Sequence, residues 1–177
     1  IVGQDVPDNA PGIATAIIQN GRVIYEKYAG FADLEVKSPI NNATRFNIAS
    51  NGKQFTALAI LSLVNDKKLK LSDDLRIYFP ELYSALKDEI TIRNLLNHTS
   101  GIRDCYDLWS LQGYTWWEKS FNNEDVLRLI QDQSELNFRP GTKYLYSNTN
   151  YILLALIVEK ITNRSFTDYT NEMFNKL

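Results

Sequence analysis

The sequence predicts an α+β protein in which a short antiparallel β-hairpin precedes a mainly helical region. Two β-rich runs flank Asn20-Gly21 near the start, and from residue 50 onward apolar runs follow helix-capping residues. With 177 residues, 44% hydrophobic and 23% charged, the chain has the composition of about one globular domain. We expect the hairpin and its connecting loop in residues 1–45 and the helical part in residues 46–177.

The β-hairpin has the strongest local signal in the chain. The runs Ile13 to Gln19 and Arg22 to Ala29 are rich in strand-forming residues, and the Asn-Gly pair between them favours a two-residue turn. The segment from Gly30 to Thr44 is predicted to be loop. A two-stranded ribbon is only marginally stable alone, and almost no other long strand follows. We therefore expect the hairpin to belong to a larger sheet, and this chain to be the front part of a longer protein.

The helical region is predicted from apolar runs and from the caps before them. The run from Phe55 to Val64 is apolar around its whole circumference, so we expect this helix at the centre of the fold. Residues 104–121 are rich in aromatic side chains, Trp116 among them, which favours helix packing over a lid on a site. The other predicted helical segments are short turns in Leu71 to Leu82, a helix capped by Thr91 and ending near Asn97, Glu124 to Gln133 capped by Asn123, Tyr151 to Ile161 opened by Asn148 or Thr149, and a last helix from Ser165 to Leu177.

Ser50 and Lys53 stand at the start of the first apolar helix and carry the main chemical hypothesis. Residues at this spacing share one helix face, so the hydroxyl and the amine are neighbours. A serine attacks carbonyl groups only when a base takes its proton, and a lysine amine can be that base in a buried, dipole-assisted position. We expect such a buried helix start here. The alternative is that Ser50 is an ordinary N-cap and Lys53 a solvated residue of the first turn.

The Ser-x-x-Lys spacing also occurs by chance in this chain. Ser84 and Lys87 have it too, but they follow Pro80 in a polar segment that predicts a surface position. Context therefore separates the two matches.

Composition excludes several classes of function. The net charge is −2 without a cluster of basic residues, which argues against nucleic acid or an anionic membrane surface as the main partner. Cys105 is the single cysteine, so an internal disulfide is impossible, and it is a weak candidate nucleophile. With one cysteine and one histidine, His98, the chain cannot form a zinc site without many carboxylates. We expect no cofactor and no metal. No apolar stretch reaches the length of a membrane span, and no signal peptide is present, although a chain that begins at Ile1 says nothing about the start of its gene.

Three motifs together give the chain a family resemblance. Ser50-x-x-Lys53, His98-Thr99-Ser100-Gly101 and Tyr146-Ser147-Asn148, in this order, resemble the serine β-lactamase and penicillin-binding-protein superfamily. The nearest branch contains class C β-lactamases, D-alanyl-D-alanine carboxypeptidases and related esterases. The resemblance implies a β-lactamase/transpeptidase-like fold, and a serine hydrolase that works through an acyl-serine intermediate.

The resemblance also assigns roles to single residues. It implies that Ser50 is the acylated nucleophile and Lys53 its proton partner. Tyr146 is then the general base or proton relay, and Asn148 holds Lys53 and the substrate amide. A phenol beside an ammonium group gives up its proton more easily, which agrees with an exchange of protons between these groups. The oxyanion would be bound by the N–H of Ser50 and by an N–H from a later strand.

The third motif of that superfamily is absent from this sequence. It is a Lys or His, a small residue and Gly on a strand beside the site, and no such strand precedes Leu177. We therefore expect only the N-terminal portion of the fold here, and a poor catalyst by itself. The resemblance implies a periplasmic, secreted or membrane-anchored protein and a small-molecule or peptide substrate: a β-lactam, a peptidoglycan peptide or an ester. It leaves the choice among these substrates and the oligomeric state open.

Two other functions stay open at this stage. One is a Ser-His-Asp hydrolase that uses His98 with Ser100 or Ser50 and an acid such as Asp104, although no Gly-x-Ser-x-Gly elbow is present. The other is a non-catalytic sensor or binding domain that keeps the fold and is acylated without turnover.

Overall fold

The computed structural model describes residues 6–7, 9–115 and 117–175. The chain divides into two compact units, Ile1–Ala49 and Ser50–Leu177. Within the described residues, the first unit contains only strands and loops, and the second contains the α-helices. The predicted α+β class is confirmed.

The first unit contains the predicted hairpin. Strands β1 (Ile13–Gln19) and β2 (Arg22–Ala29) pair antiparallel from Ile13 opposite Ala29 to Gln19 opposite Arg22. The turn residues Asn20 and Gly21 both have positive φ, as a two-residue hairpin turn requires. The register shifts between Ile17 and Ile18, an irregularity that the sequence pattern did not predict.

A second pair of strands corrects the prediction of a continuous loop from Gly30 to Thr44. Strands β3 (Phe31–Asp33) and β4 (Ser38–Pro39) pair antiparallel. The carboxylate of Asp33 accepts the N–H groups of Glu35 and Val36 at 2.9 and 3.1 Å and so turns the chain back on itself. Strands of three and two residues are too short to show an alternating pattern, which is why the sequence did not reveal them.

The second unit is helical. The N-caps largely follow prediction, since Thr91 caps its helix and Ser165 caps the last one, but Asn122 replaces the predicted Asn123. The predicted helix end at Leu177 lies outside the described residues. The helices are α1 (Lys53–Asn65), α2 (Ile92–Leu96), α3 (Cys105–Leu111), α4 (Asn123–Gln131), α5 (Asn148–Thr162) and α6 (Phe166–Phe174), with 3₁₀ turns at Ala49–Gly52 and Leu75–Ile77.

Helix α5, and not α1, is the central helix of the second unit. It packs against each of the other five α-helices that the structure describes, whereas α1 packs against α5 and α6. Helix α1 buries one face in the core, through Thr56, Ala59, Ile60 and Leu63. Its other face leaves Leu58 and Leu61 46% and 47% exposed. The prediction of a fully buried α1 was therefore wrong for this chain, because an all-apolar pattern does not show which faces find a neighbour.

The aromatic segment before α4 contributes to helix packing, as predicted, since Trp109 and Phe121 pack in a small cluster with Val126 of α4. The ring of Trp109 in α3 stacks on Phe121 with 3.6 Å between ring centroids. Trp116, part of the same prediction, lies outside the described residues. Across the described ranges, no helix combines the length and the apolar character needed to cross a bilayer.

Candidate active site

Ser50 and Lys53 lie at the junction between the first 3₁₀ turn and α1. Ser50 belongs to the turn Ala49–Gly52, and Lys53 is the first residue of the helix. The Lys53 Nζ donates a hydrogen bond to Ser50 Oγ at 3.2 Å. Ser50 is exposed and Lys53 is half-buried, so the prediction of a buried helix start was wrong. The first three residues of the turn are exposed, and the buried residues of α1 begin only at Thr56.

The start of α5 brings two more side chains to Ser50. The hydroxyl of Tyr146 lies 2.8 Å from Ser50 Oγ, although the two residues are 96 positions apart in sequence. Asn148 accepts hydrogen bonds through its Oδ1 from Lys53 Nζ at 2.9 Å and from Tyr146 Oη at 3.3 Å. All four predicted site residues thus come together, because α1 packs along α5 with their N-terminal ends side by side.

His98 holds the backbone on both sides of Tyr146. Its carbonyl oxygen accepts the N–H of Leu145 at 3.0 Å, and its Nδ1 accepts the N–H of Ser147 at 3.2 Å. Its ring lies against the ring of Tyr146, with 4.5 Å between centroids. The His98-Thr99-Ser100-Gly101 segment therefore fixes where the phenol of Tyr146 points.

The positive charge of Lys53 shapes the electrostatics of the site. The ammonium group lies 5.1 Å from the ring centroid of Tyr146 and 5.8 Å from that of Tyr151, within cation–π range. Burial lowers the pKa of His98, and the nearby charge of Lys53 lowers it further. The imidazole is accordingly neutral at neutral pH. Because Nδ1 accepts the Ser147 N–H, its proton belongs on Nε2.

Two further residues contact this cluster, and sequence reasoning missed their roles. Asp104, considered before only as a triad acid, caps α3 through the N–H of Tyr106 and also accepts the backbone N–H and the side-chain amide of Asn148. An aspartate before a helix signals a cap, but nothing in the sequence links it to a residue 44 positions later. Asn150 lies with its Nδ2 3.3 Å from His98 Nδ1, and no sequence signal identified it.

The rival nucleophiles are not assembled into sites. In the described residues His98 makes no hydrogen bond to Ser50, Ser100 or Asp104, and Ser100 Oγ instead donates to Asn150 Oδ1 at 2.7 Å. Burial raises the pKa of the Cys105 thiol to about 12, so this cysteine is protonated and poorly nucleophilic.

The second match to the Ser-x-x-Lys spacing lies on the surface, as predicted. Ser84 and Lys87 are both exposed in a turn region. Nor do the described residues contain a group of three or more His, Cys, Asp or Glu side chains that could hold a metal ion.

Comparison with known proteins gives this geometry a family context. The beta-lactamase family profile matches residues 4–176. Protein flp of Staphylococcus aureus (strain N315) is 38% identical over 169 residues, which is 94% of this chain and 33% of that protein. The chain therefore spans about a third of the length of this relative.

Solved structures show the same relationship in three dimensions. The octameric penicillin-binding protein homologue from Pyrococcus abyssi superposes with a TM-score of 0.80 at 30% identity, over 92% of this chain and 37% of that one. EstCE1, a hydrolase with promiscuous acyltransferase activity, superposes with a TM-score of 0.78 at 28% identity, over 91% of this chain and 45% of that one. The predicted β-lactamase/transpeptidase-like fold is confirmed, in its N-terminal portion. A profile match over nearly every residue shows that the chain belongs to the beta-lactamase family, whose members include hydrolases.

Proposed function

We propose that this chain carries the nucleophile and the proton-transfer groups of a serine hydrolase that forms an acyl-serine intermediate. The observation that carries the proposal is the position of Ser50 Oγ, which lies 3.2 Å from Lys53 Nζ and 2.8 Å from Tyr146 Oη. A nucleophile in reach of two groups that can exchange protons is the arrangement that activates a serine. The family membership supports the same reaction class.

The hydrogen bonds suggest the direction of proton movement. Ser50 accepts a hydrogen bond from Lys53, so its own hydroxyl proton is free to point at Tyr146, which in turn donates to Asn148. As Ser50 Oγ bonds to the substrate carbonyl carbon, its proton passes to Tyr146 or Lys53 in the deprotonated form. The same proton then goes to the leaving group when the old acyl bond breaks. Water reverses these steps at the acyl-serine and releases the free acid.

The developing oxyanion would be met by the backbone N–H of Ser50. Ser50 is the second residue of its 3₁₀ turn, and the first N–H groups of a helical segment have no acceptor within it. Stabilising a tetrahedral oxyanion needs at least one further hydrogen-bond donor. The resemblance implies that an N–H group of a later strand, outside this chain, supplies it. We propose on this basis that residues 1–45 and 46–177 are parts of a larger catalytic fold, and that the isolated chain acylates slowly.

The substrate class is an acyl compound with an accessible carbonyl: a β-lactam, a D-Ala-D-Ala peptide or an ester. Ser50 is exposed and Tyr146 is 40% exposed, which supports an open approach for such molecules. The likeness to penicillin-binding proteins supports a location of the full-length protein outside the cytoplasmic membrane, periplasmic, secreted or membrane-anchored. The site needs no metal or cofactor for this chemistry.

Covalent labelling tests the proposal. The full-length protein and the 177-residue chain are incubated with a fluorescent penicillin and with a fluorophosphonate, and the labelled fraction is read from a gel. We expect labelling of the full-length protein, slower labelling of the chain, and none for Ser50→Ala. Ser84→Ala is the matched control, since it removes a serine with the same spacing to a lysine, and it should label normally.

Each alternative gives a different result. Labelling that survives Ser50→Ala but disappears in His98→Ala would replace the proposal with a Ser-His-Asp hydrolase. Labelling that depends on Ser50 without turnover of a chromogenic β-lactam or ester would identify a sensor or binding domain.

A further inference from the structure

Asp104 is a buried carboxylate with three hydrogen-bond donors around it. It is only 9% exposed. Its Oδ1 accepts the N–H of Tyr106 at 2.9 Å, and its Oδ2 accepts the side-chain Nδ2 of Asn148 at 2.9 Å together with the backbone N–H of Asn148. The carboxylate therefore lies between the N-terminal ends of α3 and α5 and accepts a backbone N–H group from each side, those of Tyr106 and Asn148.

The direction of the Asn148 amide is decisive for Lys53. An asparagine side chain presents a carbonyl oxygen on one side and an NH₂ group on the other, and the two differ little in shape. Lys53 Nζ carries only donors when charged, so it needs the oxygen, which it meets at 2.9 Å. A flipped amide would point two N–H donors at the ammonium group.

Lys53 cannot by itself fix that direction firmly, because the ammonium group swings on a flexible stem. The carboxylate of Asp104 can, since an ionised carboxylate only accepts hydrogen bonds and so admits only the NH₂ end of the amide. The same carboxylate also binds the backbone N–H of Asn148, which fixes the residue from which the amide extends. Asn148 is therefore held at its backbone and at the donor end of its side chain.

We propose that Asp104 is a positioning residue of the site: its carboxylate sets the direction of the Asn148 amide, which keeps a carbonyl oxygen in front of Lys53 and the Tyr146 hydroxyl. The inference rests on the proposed function for its kinetic consequence, but the amide direction is a structural property that can be measured alone.

The first test measures the unmodified protein, and a variant serves only to assign one signal. The protein is labelled with ¹⁵N-asparagine, and the Asn148 side-chain amide is assigned by its disappearance in Asn148→Ala. We expect one of its two N–H protons to exchange slowly with solvent because it is bonded to a buried carboxylate. Two rapidly exchanging protons would overturn the inference.

The second test is kinetic and uses Asp104→Asn in the full-length protein. This change keeps the size of the side chain but replaces one carboxylate oxygen by an NH₂ group. An NH₂ group cannot accept the hydrogen bonds that this oxygen accepts in Asp104. We expect the acylation rate constant with a fluorescent penicillin to fall about 10- to 100-fold, the usual effect of a misplaced catalytic group. The Asn148 amide protons should lose their protection at the same time.

A double-mutant cycle and a stability control separate positioning from general damage. In the Asn148→Ala background, Asp104→Asn should change the acylation rate less than about threefold, because the residue it acts through is gone. Asn122→Ala removes the cap of α4, which should lower the melting temperature similarly without slowing acylation. An undiminished effect of Asp104→Asn in the Asn148→Ala background, or equal slowing by Asn122→Ala, would overturn the inference.

The two proposals fail in distinguishable ways. If the unmodified protein is not acylated at all, the proposed function fails, and the amide exchange measurement alone decides the role of Asp104. If it is acylated at Ser50 and Asp104→Asn neither slows the reaction nor alters the amide, only the inference about Asp104 fails.

Discussion

His98 supports the candidate site by holding the backbone around Tyr146, and not by a hydrogen bond to Ser50. Its φ of 54° places it in the left-handed region, which is uncommon for residues other than Gly and in which Asn, Asp and His are enriched. That conformation lets its carbonyl and its Nδ1 hold Leu145 and Ser147 together. The motif His98-Thr99-Ser100-Gly101 drew attention to this segment in the sequence. The contact between the rings of His98 and Tyr146 joins positions far apart and could not be predicted.

The lowered pKa of His98 predicts an acid sensitivity of stability. Its ordinary pKa is 6.5, and burial followed by the charge of Lys53 holds the folded value below this. Below about pH 6.5 the unfolded chain takes up a proton that the folded chain resists, so the unfolding free energy falls as the pH falls. His98→Asn should flatten this fall, since asparagine does not titrate there, tolerates positive φ and keeps an oxygen for the Ser147 N–H.

Urea denaturation at about pH 7.5 and pH 5.5 measures the effect, with the slope of wild type compared with that of the variant. Both proteins contain the same carboxylates and the same neighbours of position 98, Lys53 and Asp104, so the contributions of these groups cancel in the comparison. Parallel slopes would contradict the prediction.

At the scale of the elements, caps proved more informative than apolar pattern. Thr91 and Ser165 begin helices where their side chains predicted, because a cap is a local hydrogen bond that the sequence shows directly. The apolar runs of α1 and α5 look equally buried in the sequence, and only the packing shows that α5 takes the centre. Likewise, the Ser50–Lys53 contact follows from spacing within one segment, whereas Asp104 and Asn148 meet through packing.

The two serine N-caps of the helical unit should respond differently to truncation. Ser165 Oγ accepts the N–H of Asp168 at 3.0 Å, so Ser165→Ala should cost about 1 kcal/mol of unfolding free energy. Ser147 caps α5 without a side-chain hydrogen bond, and its buried hydroxyl has no partner in the described residues. Ser147→Ala should therefore change the unfolding free energy by less than about 0.5 kcal/mol, or raise it.

Urea denaturation of the two alanine variants under one set of conditions checks this pair. A loss of more than about 1 kcal/mol in Ser147→Ala would show that its hydroxyl has a stabilising partner.

At the scale of the whole molecule, the two units differ in how much apolar surface they bury. The helical unit has a continuous core, with Ile60, Leu63 and Leu153 fully buried. The hairpin leaves apolar side chains exposed on both faces: Ile17 (50%), Ile18 (68%), Val23 (56%) and Ile24 (58%). In the part of the chain that the structure describes, β1 and β2 form a sheet of two strands only, which is a weakly stable arrangement.

This difference predicts unequal local stability in the 177-residue chain. The backbone amides of β1 and β2 should exchange with deuterium about 100-fold or more faster than those in the middle of α5, because a lone ribbon opens without unfolding the core. Mass spectrometry of peptides from residues 13–29 and 148–162 measures both rates in one sample. Equal protection would mean that the hairpin opens only together with the helices.

The distance along the chain between Ser50 and Tyr146 has a consequence for biosynthesis. A ribosome completes the 96-residue interval between them only well after the serine has left the exit tunnel, and loop closure over such a span comes late in folding. Until then Ser50, the proposed nucleophile, has no contact with Tyr146 and should react no faster than any other serine. On the proposed function, a nascent or misfolded copy should therefore not be acylated, because Tyr146 is not yet beside Ser50.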